Sequence, residues 1–147
     1  RNFQGYTTDQ ANTMLGLGST SIGRTPFGYV QNLSGTGAWT RAVEGGELSV
    51  GKGVAFSDDD TLRGKVIEKI MCSGTINLDE IAADFGAKDD WYKAHEPELA
   101  QLKADGLIKM QEGQLSVTSK GQAVVRVVAA VFDTYLVEKP TRHAAAV

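Results

Sequence analysis

The chain has 147 residues, one Cys, two His and a formal charge of -3, with 41% hydrophobic and 22% charged residues. That is the composition of a globular chain able to bury a core, as one domain or as a small domain with an extra piece. A single Cys excludes from this chain an internal disulfide, a four-Cys zinc site and the three-thiolate cradle of an iron–sulfur cluster. The longest apolar run, Val127 to Phe132, is far short of the roughly 18–20 residues that span a bilayer, and no basic, apolar, small-residue leader opens the chain, so the expectation is a soluble, cytoplasmic protein. The start at Arg1, inside a dense polar and aromatic cluster, points to a longer parent.

Eleven of the 17 glycines lie in residues 1–57, which makes the first third loop- and strand-like and the remainder helix-like. Phe3 to Thr8 is a short aromatic and β-branched run, Leu15 to Ile22 alternates small and apolar residues, and Gly28 to Gln31 is another extended candidate. One helix is expected over Ala38 to Gly45. So small a set of strands would expose its edges and an apolar face unless partner strands cover them; a small α+β subdomain complete in itself is the alternative. The junction is read near Gly51 to Ser57, giving domains 1–53 and 54–147.

From Ser57 the spacing turns helical. Ser57 or Asp58 caps a helix with acidic residues in its first turn and Leu62, Val66, Ile70 and Met71 along one face. A second, short helix starts at Asn77, where Asn77 and Glu80 have capping-box spacing, carries Leu78, Ile81, Ala82 and Phe85, and stops at Gly86. A third spans roughly Asp90 to Ala104 with Trp91, Leu99 and Leu102 inward. Pro97 predicts a break near Glu96, because proline is accepted in a first turn and not in an interior. Leu107 to Met110 and Gln114 to Val117 flank Gln111-Glu112-Gly113 as a β-hairpin. Ser119 and Gln122 then launch a long apolar helix through Val124, Val125, Val128, Val131, Phe132, Tyr135 and Leu136, ended by Lys139-Pro140.

Helix, short helix, helix, hairpin, helix is the order of a winged helix-turn-helix module with an added helix. Charge opposes nucleic acid as its partner: residues 58–147 carry eleven Lys or Arg against fifteen Asp or Glu, and phosphate binding needs the opposite balance. A protein-packing or interaction module fits better. The fold class expected is therefore α+β, mainly helical, with a winged-helix-like C-terminal domain.

Few residues invite chemistry. Gly16-Leu17-Gly18-Ser19-Thr20-Ser21-Ile22-Gly23 has its third glycine too late for G-x-G-x-x-G and no P-loop lysine. Its small residues do let a ligand approach the backbone, with Ile22 as an apolar wall for a flat group such as an adenine; a tight strand packed on a helix explains the same residues. Asp58-Asp59-Asp60 reads as helix capping rather than a metal site. His95 and His143 lack a second ligand at useful spacing, and Cys72 reads as a buried small hydrophobe. No metal site and no nucleophile–base arrangement is expected.

Arg1-Asn2-Phe3-Gln4-Gly5-Tyr6-Thr7-Thr8, Leu15-Gly16-Leu17-Gly18, Ser21-Ile22 and Tyr29-Val30-Gln31-Asn32 closely resemble the oxygen-independent coproporphyrinogen III oxidases, radical S-adenosylmethionine enzymes of anaerobic haem synthesis. The likeness continues through Asp59-Asp60, Leu62-Arg63, Met71-Cys72, Phe85-Gly86, Asp105-Gly106-Leu107, Gly121 and Val131-Phe132-Asp133-Thr134-Tyr135-Leu136. The N-F-Q-G-Y-T-T run also separates true oxidases from their haem-chaperone relatives. The resemblance implies the C-terminal third of such an enzyme: the last strands of its catalytic α/β barrel, then a helical domain. It implies two S-adenosylmethionine molecules and a [4Fe–4S] cluster in the whole protein, with the cluster's C-x-x-x-C-x-x-C ligands absent from this chain. Coproporphyrinogen III is the implied substrate, losing carbon dioxide from two propionates to leave vinyl groups. The second S-adenosylmethionine contacts map onto Phe3, Gln4 and Ile22, and Arg1 is a partner for a propionate carboxylate. The fragment implied is inactive alone, a winged-helix interaction module or a haem-chaperone relative being the alternatives. Ser73-Gly74 after Cys72, and Gly64 beside Arg63, depart from the family pattern, so no role is carried to Cys72 or Arg63.

Overall fold

The structure, a computed structural model, describes residues 5–88 and 91–136. It divides into two compact units, Arg1–Ser57 and Asp58–Val147.

The first unit contains β1 (Ile22–Thr25), β2 (Gly28–Asn32), α1 (Thr36–Glu44) and β3 (Val50–Ala55). The strands form one antiparallel sheet in the order β1-β2-β3. β1 and β2 are a hairpin closed over Pro26-Phe27, with Thr25 opposite Gly28, and Met14 adds an isolated bridge to Arg24 through two 2.8 Å backbone bonds. β2 and α1 lie where the sequence predicts them. Of the Phe3 to Thr8 run, Phe3 and Gln4 fall outside the described residues and Tyr6 to Thr8 are not in a strand. From Leu15 to Ser21 the chain is loop rather than strand. β3 occupies the stretch read as the junction; Gly51 and Gly53 interrupt any alternation there, and all six of its residues are exposed. Among its described residues this unit buries only Gly23, Gly28 and Ser49, while Leu17 is 90% and Leu48 91% exposed. A unit with no buried apolar side chain gains little hydrophobic stabilisation by itself.

The second unit runs α2 (Asp58–Ser73), β4 (Thr75–Asn77), α3 (Leu78–Asp84), a 3-10 turn (Trp91–His95), α4 (Glu96–Ala104), β5 (Ile108–Gln111), β6 (Gln114–Val117), α5 (Ser119–Gln122) and α6 (Val125–Ala130). Its antiparallel sheet has the order β4-β6-β5. α2 buries the expected Leu62, Val66, Ile70 and Met71. Asn77 caps α3 as predicted: its Oδ1 accepts the Asp79 and Glu80 N–H groups at 3.0 and 3.2 Å, and its Nδ2 donates to Glu80 Oε1 at 3.1 Å. α3 and α4 both end in a left-handed glycine, Gly86 and Gly106, closed by Ala87 N–H to Ala82 O and Leu107 N–H to Leu102 O at 2.8 and 2.9 Å. This is the Schellman arrangement, which a Cβ would strain. The break at Pro97 is real, since α4 begins at Glu96 and the preceding turn is 3-10; Asp89 and Asp90 lie outside the described residues. The core gathers Val66, Ile70, Leu78, Ile108, Leu115, Val128 and Phe132, each at most 2% exposed.

Four expectations for this unit are corrected. β4 joins the sheet between α2 and α3; three residues are too few for a period of two to register. Phe85 ends α3 at its C-cap and is 38% exposed rather than on the buried stripe. Cys72 is exposed, because the α2 stripe repeats every three to four residues and a residue two after Ile70 points to the other side. The long terminal helix is instead the two short helices α5 and α6, separated at Ala123-Val124. The cap is Thr118, not Ser119, with its hydroxyl accepting Gly121 N–H at 3.1 Å. β-branched Val124 and Val125 favour helix less than unbranched residues. Of the expected stripe, Val128 and Phe132 are buried and Tyr135 and Leu136 exposed. Lys139 and Pro140 lie outside the described residues. No described helix is long and apolar enough to cross a membrane.

Candidate functional site

Three of the four predicted site residues, Arg1, Phe3 and Gln4, lie outside the described residues. Ile22 is the first residue of β1, half-buried and opposite Gln31. Before it, the loop of residues 16–21 is tied to the sheet on one side. Thr20 N–H donates to Leu33 O at 3.0 Å, and Asn32 N–H to Ser21 O at 2.9 Å. The Asn32 side-chain amide donates to Gly16 O at 3.1 Å and Gly18 O at 2.9 Å, and Gln31 Nε2 to Thr20 O at 3.0 Å. Ser21 Oγ closes the loop on Leu17 O. A Cβ on Gly16 would stand 2.8 Å from Ser21 Cβ and 3.0 Å from the Ile22 carbonyl group, so glycine is needed for the loop to lie this close to the strand.

An apolar side chain stands next to backbone that carries only Gly, Ser and Thr from Gly18 to Ser21. That combination suits a flat heteroaromatic group such as an adenine, through apolar contact and close backbone approach. It does not suit a metal cluster. Among the described residues no group of three His, Cys, Asp or Glu side chains comes together.

In the second unit Arg63 organises a polar cluster that spacing does not reveal. Its Nε donates to Asp59 Oδ2 at 2.6 Å, and its Nη1 donates to Phe132 O at 3.4 Å and lies 2.9 Å from His95 Nε2. The guanidinium also sits 5.7 Å from the Trp91 ring centre, within cation–π range. Arginine only donates, so His95 Nε2 is the acceptor and the imidazole is neutral with its proton on Nδ1. Burial, and then the Arg63 charge, push the His95 pKa below its usual value. His95 thereby serves as a structural acceptor, with the lone pair that would ligate a metal or haem iron already engaged. His143 lies outside the described residues. Asp60 Oδ1 accepts the Tyr135 hydroxyl at 2.9 Å, so Asp60 ties α2 to the segment after α6, whereas Asp59 pairs with Arg63 within α2.

No protein-family model matches the chain. Relatives match it along its length. An oxygen-independent coproporphyrinogen III oxidase of Bradyrhizobium diazoefficiens is 40% identical over all 147 residues, which are 33% of that relative. One of Cereibacter sphaeroides is 38% identical over 135 residues, 92% of this chain and 30% of the relative. Among solved structures, coproporphyrinogen III oxidase (HemN) from Escherichia coli, described as a radical SAM enzyme, has a TM-score of 0.83 at 32% identity, covering 92% of this chain and 31% of that one. The chain thus spans about a third of the proteins it matches. These relatives carry the name that the N-F-Q-G-Y-T-T run and its companions imply.

Proposed function

We propose that the chain is the C-terminal part of an oxygen-independent coproporphyrinogen III oxidase, which oxidatively decarboxylates coproporphyrinogen III to protoporphyrinogen IX in the cytoplasm during anaerobic haem synthesis. The observation that carries this reading is 40% identity along the entire chain to an enzyme of that name. A TM-score of 0.83 to a radical SAM enzyme of the same activity supports it. The whole protein would use a [4Fe–4S] cluster and two molecules of S-adenosylmethionine. Among the described residues no three His, Cys, Asp or Glu side chains gather, and the one cysteine of the chain, Cys72, is exposed on α2. The cluster therefore belongs to the other two thirds of the protein, and S-adenosylmethionine, when bound there, supplies the radical that removes hydrogen from a substrate propionate.

This chain's part is placement. Ile22, with Phe3 and Gln4, would wall the second cofactor, and Arg1 would hold a propionate carboxylate through paired N–H donors. An apolar wall also keeps water from the reacting centre. The exposed Leu17 and Leu48 are surface that the remaining barrel would cover, the first unit continuing that barrel's sheet. The second unit, in the order helix, strand, helix, helix, hairpin, would be a winged-helix-like module used for packing rather than for nucleic acid. Alone, the chain would not turn over substrate.

The reading is tested on the whole polypeptide purified without oxygen. It should contain about four iron atoms per chain and lose them when any of three clustered cysteines outside this segment is replaced. A parent without such cysteines, or one that binds haem and has no cluster, contradicts the reading and favours a chaperone relative.

A further inference from the structure

We propose that Asn32 is a positioning residue for the cofactor pocket, holding the 16–21 loop and through it the Ile22 wall. The inference rests on the functional reading above for what the wall binds, and on the geometry of the first unit for how it is held.

The two hydrogens of the Asn32 amide have two acceptors, the carbonyls of Gly16 and Gly18, at 3.1 and 2.9 Å. Both carbonyls are thereby turned toward the sheet. The same residue's N–H reaches Ser21 O at 2.9 Å, so Asn32 grips the loop at its beginning, middle and end. The register of β2 against β3 shifts between Gln31 and Asn32. The extra residue is Gly51 of β3, which the ladder passes over between the Gln31–Lys52 and Asn32–Val50 pairs, so the irregularity sits directly beside Asn32. Gln31 adds a fourth bond, Nε2 to Thr20 O at 3.0 Å.

The loop would not hold this shape unaided. Thr20 has φ +64°, a left-handed conformation that a β-branched residue adopts at a cost of about 1–3 kcal/mol, and such residues persist only where the surroundings over-determine them. The surroundings are the bonds just named, together with Thr20 N–H to Leu33 O. Ser21 leads directly from this strained residue into Ile22, so the conformation at Thr20 sets the direction from which β1 starts. Releasing the grip lets Thr20 relax to a common backbone region and reorients Ile22.

Asn32→Asp tests the clamp with an isosteric side chain, replacing two donors by a carboxylate that faces two carbonyl oxygens. Gln31→Glu, at a more solvent-facing site, is the second variant and removes one donor. The first readout is amide hydrogen exchange on the whole polypeptide without ligand, with Thr20 N–H as reporter and the α2 amides as internal control. Losing two hydrogen bonds should speed Thr20 exchange about tenfold to a hundredfold, and losing one about threefold to tenfold, with α2 unchanged. The second readout is kinetic: Asn32→Asp should raise KM for S-adenosylmethionine about tenfold while kcat at saturating cofactor changes less than threefold, as expected when binding rather than the chemical step is weakened. A Thr20 amide exchanging at the wild-type rate in both variants overturns the clamp. Faster exchange with an unchanged KM overturns the link to the Ile22 wall. If the wild-type polypeptide binds no S-adenosylmethionine, the functional reading fails instead, and the exchange data alone decide the clamp.

Discussion

Arg63 and His95 stand 32 residues apart in sequence and 2.9 Å apart in space, joining α2 to the turn before α4 beneath the Phe132 carbonyl. Because the imidazole accepts from a cation and is partly buried, the folded protein resists its protonation. The unfolded chain takes up that proton near pH 6.5, the usual value, whereas the folded chain does so only at lower pH. The unfolded state therefore binds more protons in this window, and stability rises with pH. The contribution is complete above about pH 6.5 and is lost as pH falls through the depressed folded value. Between pH 7.5 and 5, the wild-type Tm should fall more steeply than that of His95→Gln, by thermal unfolding followed by circular dichroism. Parallel slopes would mean that His95 does not titrate against Arg63. Neither this cluster nor the Asn32 clamp was legible in the sequence, since each depends on side chains meeting across long separations. Ile22 stood out in the sequence through the run of small residues before it, a pattern that a ligand wall and a tightly packed strand explain equally; its place at the start of β1 comes from pairing with Gln31.

Elements whose signals are local were read well. The α2 stripe, the Asn77 cap, the Pro97 break and the β5–β6 hairpin each depend on residues within one or two turns of each other. β3 and β4 escaped because pairing defines them: β3 is a glycine-interrupted strand held by β2, and β4 a three-residue strand held by β6. The broken terminal helix is the converse case, an apolar run whose tertiary contacts override its period. α5 is seated by Thr118, whose hydroxyl donates to Gly106 O at 2.7 Å and whose N–H donates to Leu107 O at 2.9 Å. The seating leaves no space at Gly121, where a Cβ would lie 2.1 Å from Leu107 O and 2.9 Å from Val117 Cγ1. Gly121→Ala should cost about 2–3 kcal/mol, as overpacking against backbone does, measured by urea unfolding. A loss below about 0.5 kcal/mol, the scale of ordinary surface substitutions, would contradict this seating.

At the scale of the whole molecule the two units differ in what stabilises them. Residues 58–147 enclose a core built on Phe132, Ile70, Leu78 and Leu115, whereas the described part of residues 1–57 buries no apolar side chain. Expressed separately, 58–147 should unfold in one cooperative transition and 1–57 should show none. A cooperative transition in the isolated 1–57 piece would contradict the view that its apolar residues await cover from a remainder of the proposed whole protein. The same view makes the fragment dependent on that remainder for function. The decisive measurement is anaerobic turnover of coproporphyrinogen III by the whole cluster-loaded polypeptide with S-adenosylmethionine and an electron donor, with and without residues 1–147. Protoporphyrinogen IX formed only when this segment is present is the predicted result. Haem binding without turnover by the intact protein, or full turnover after the segment is deleted, would contradict the account.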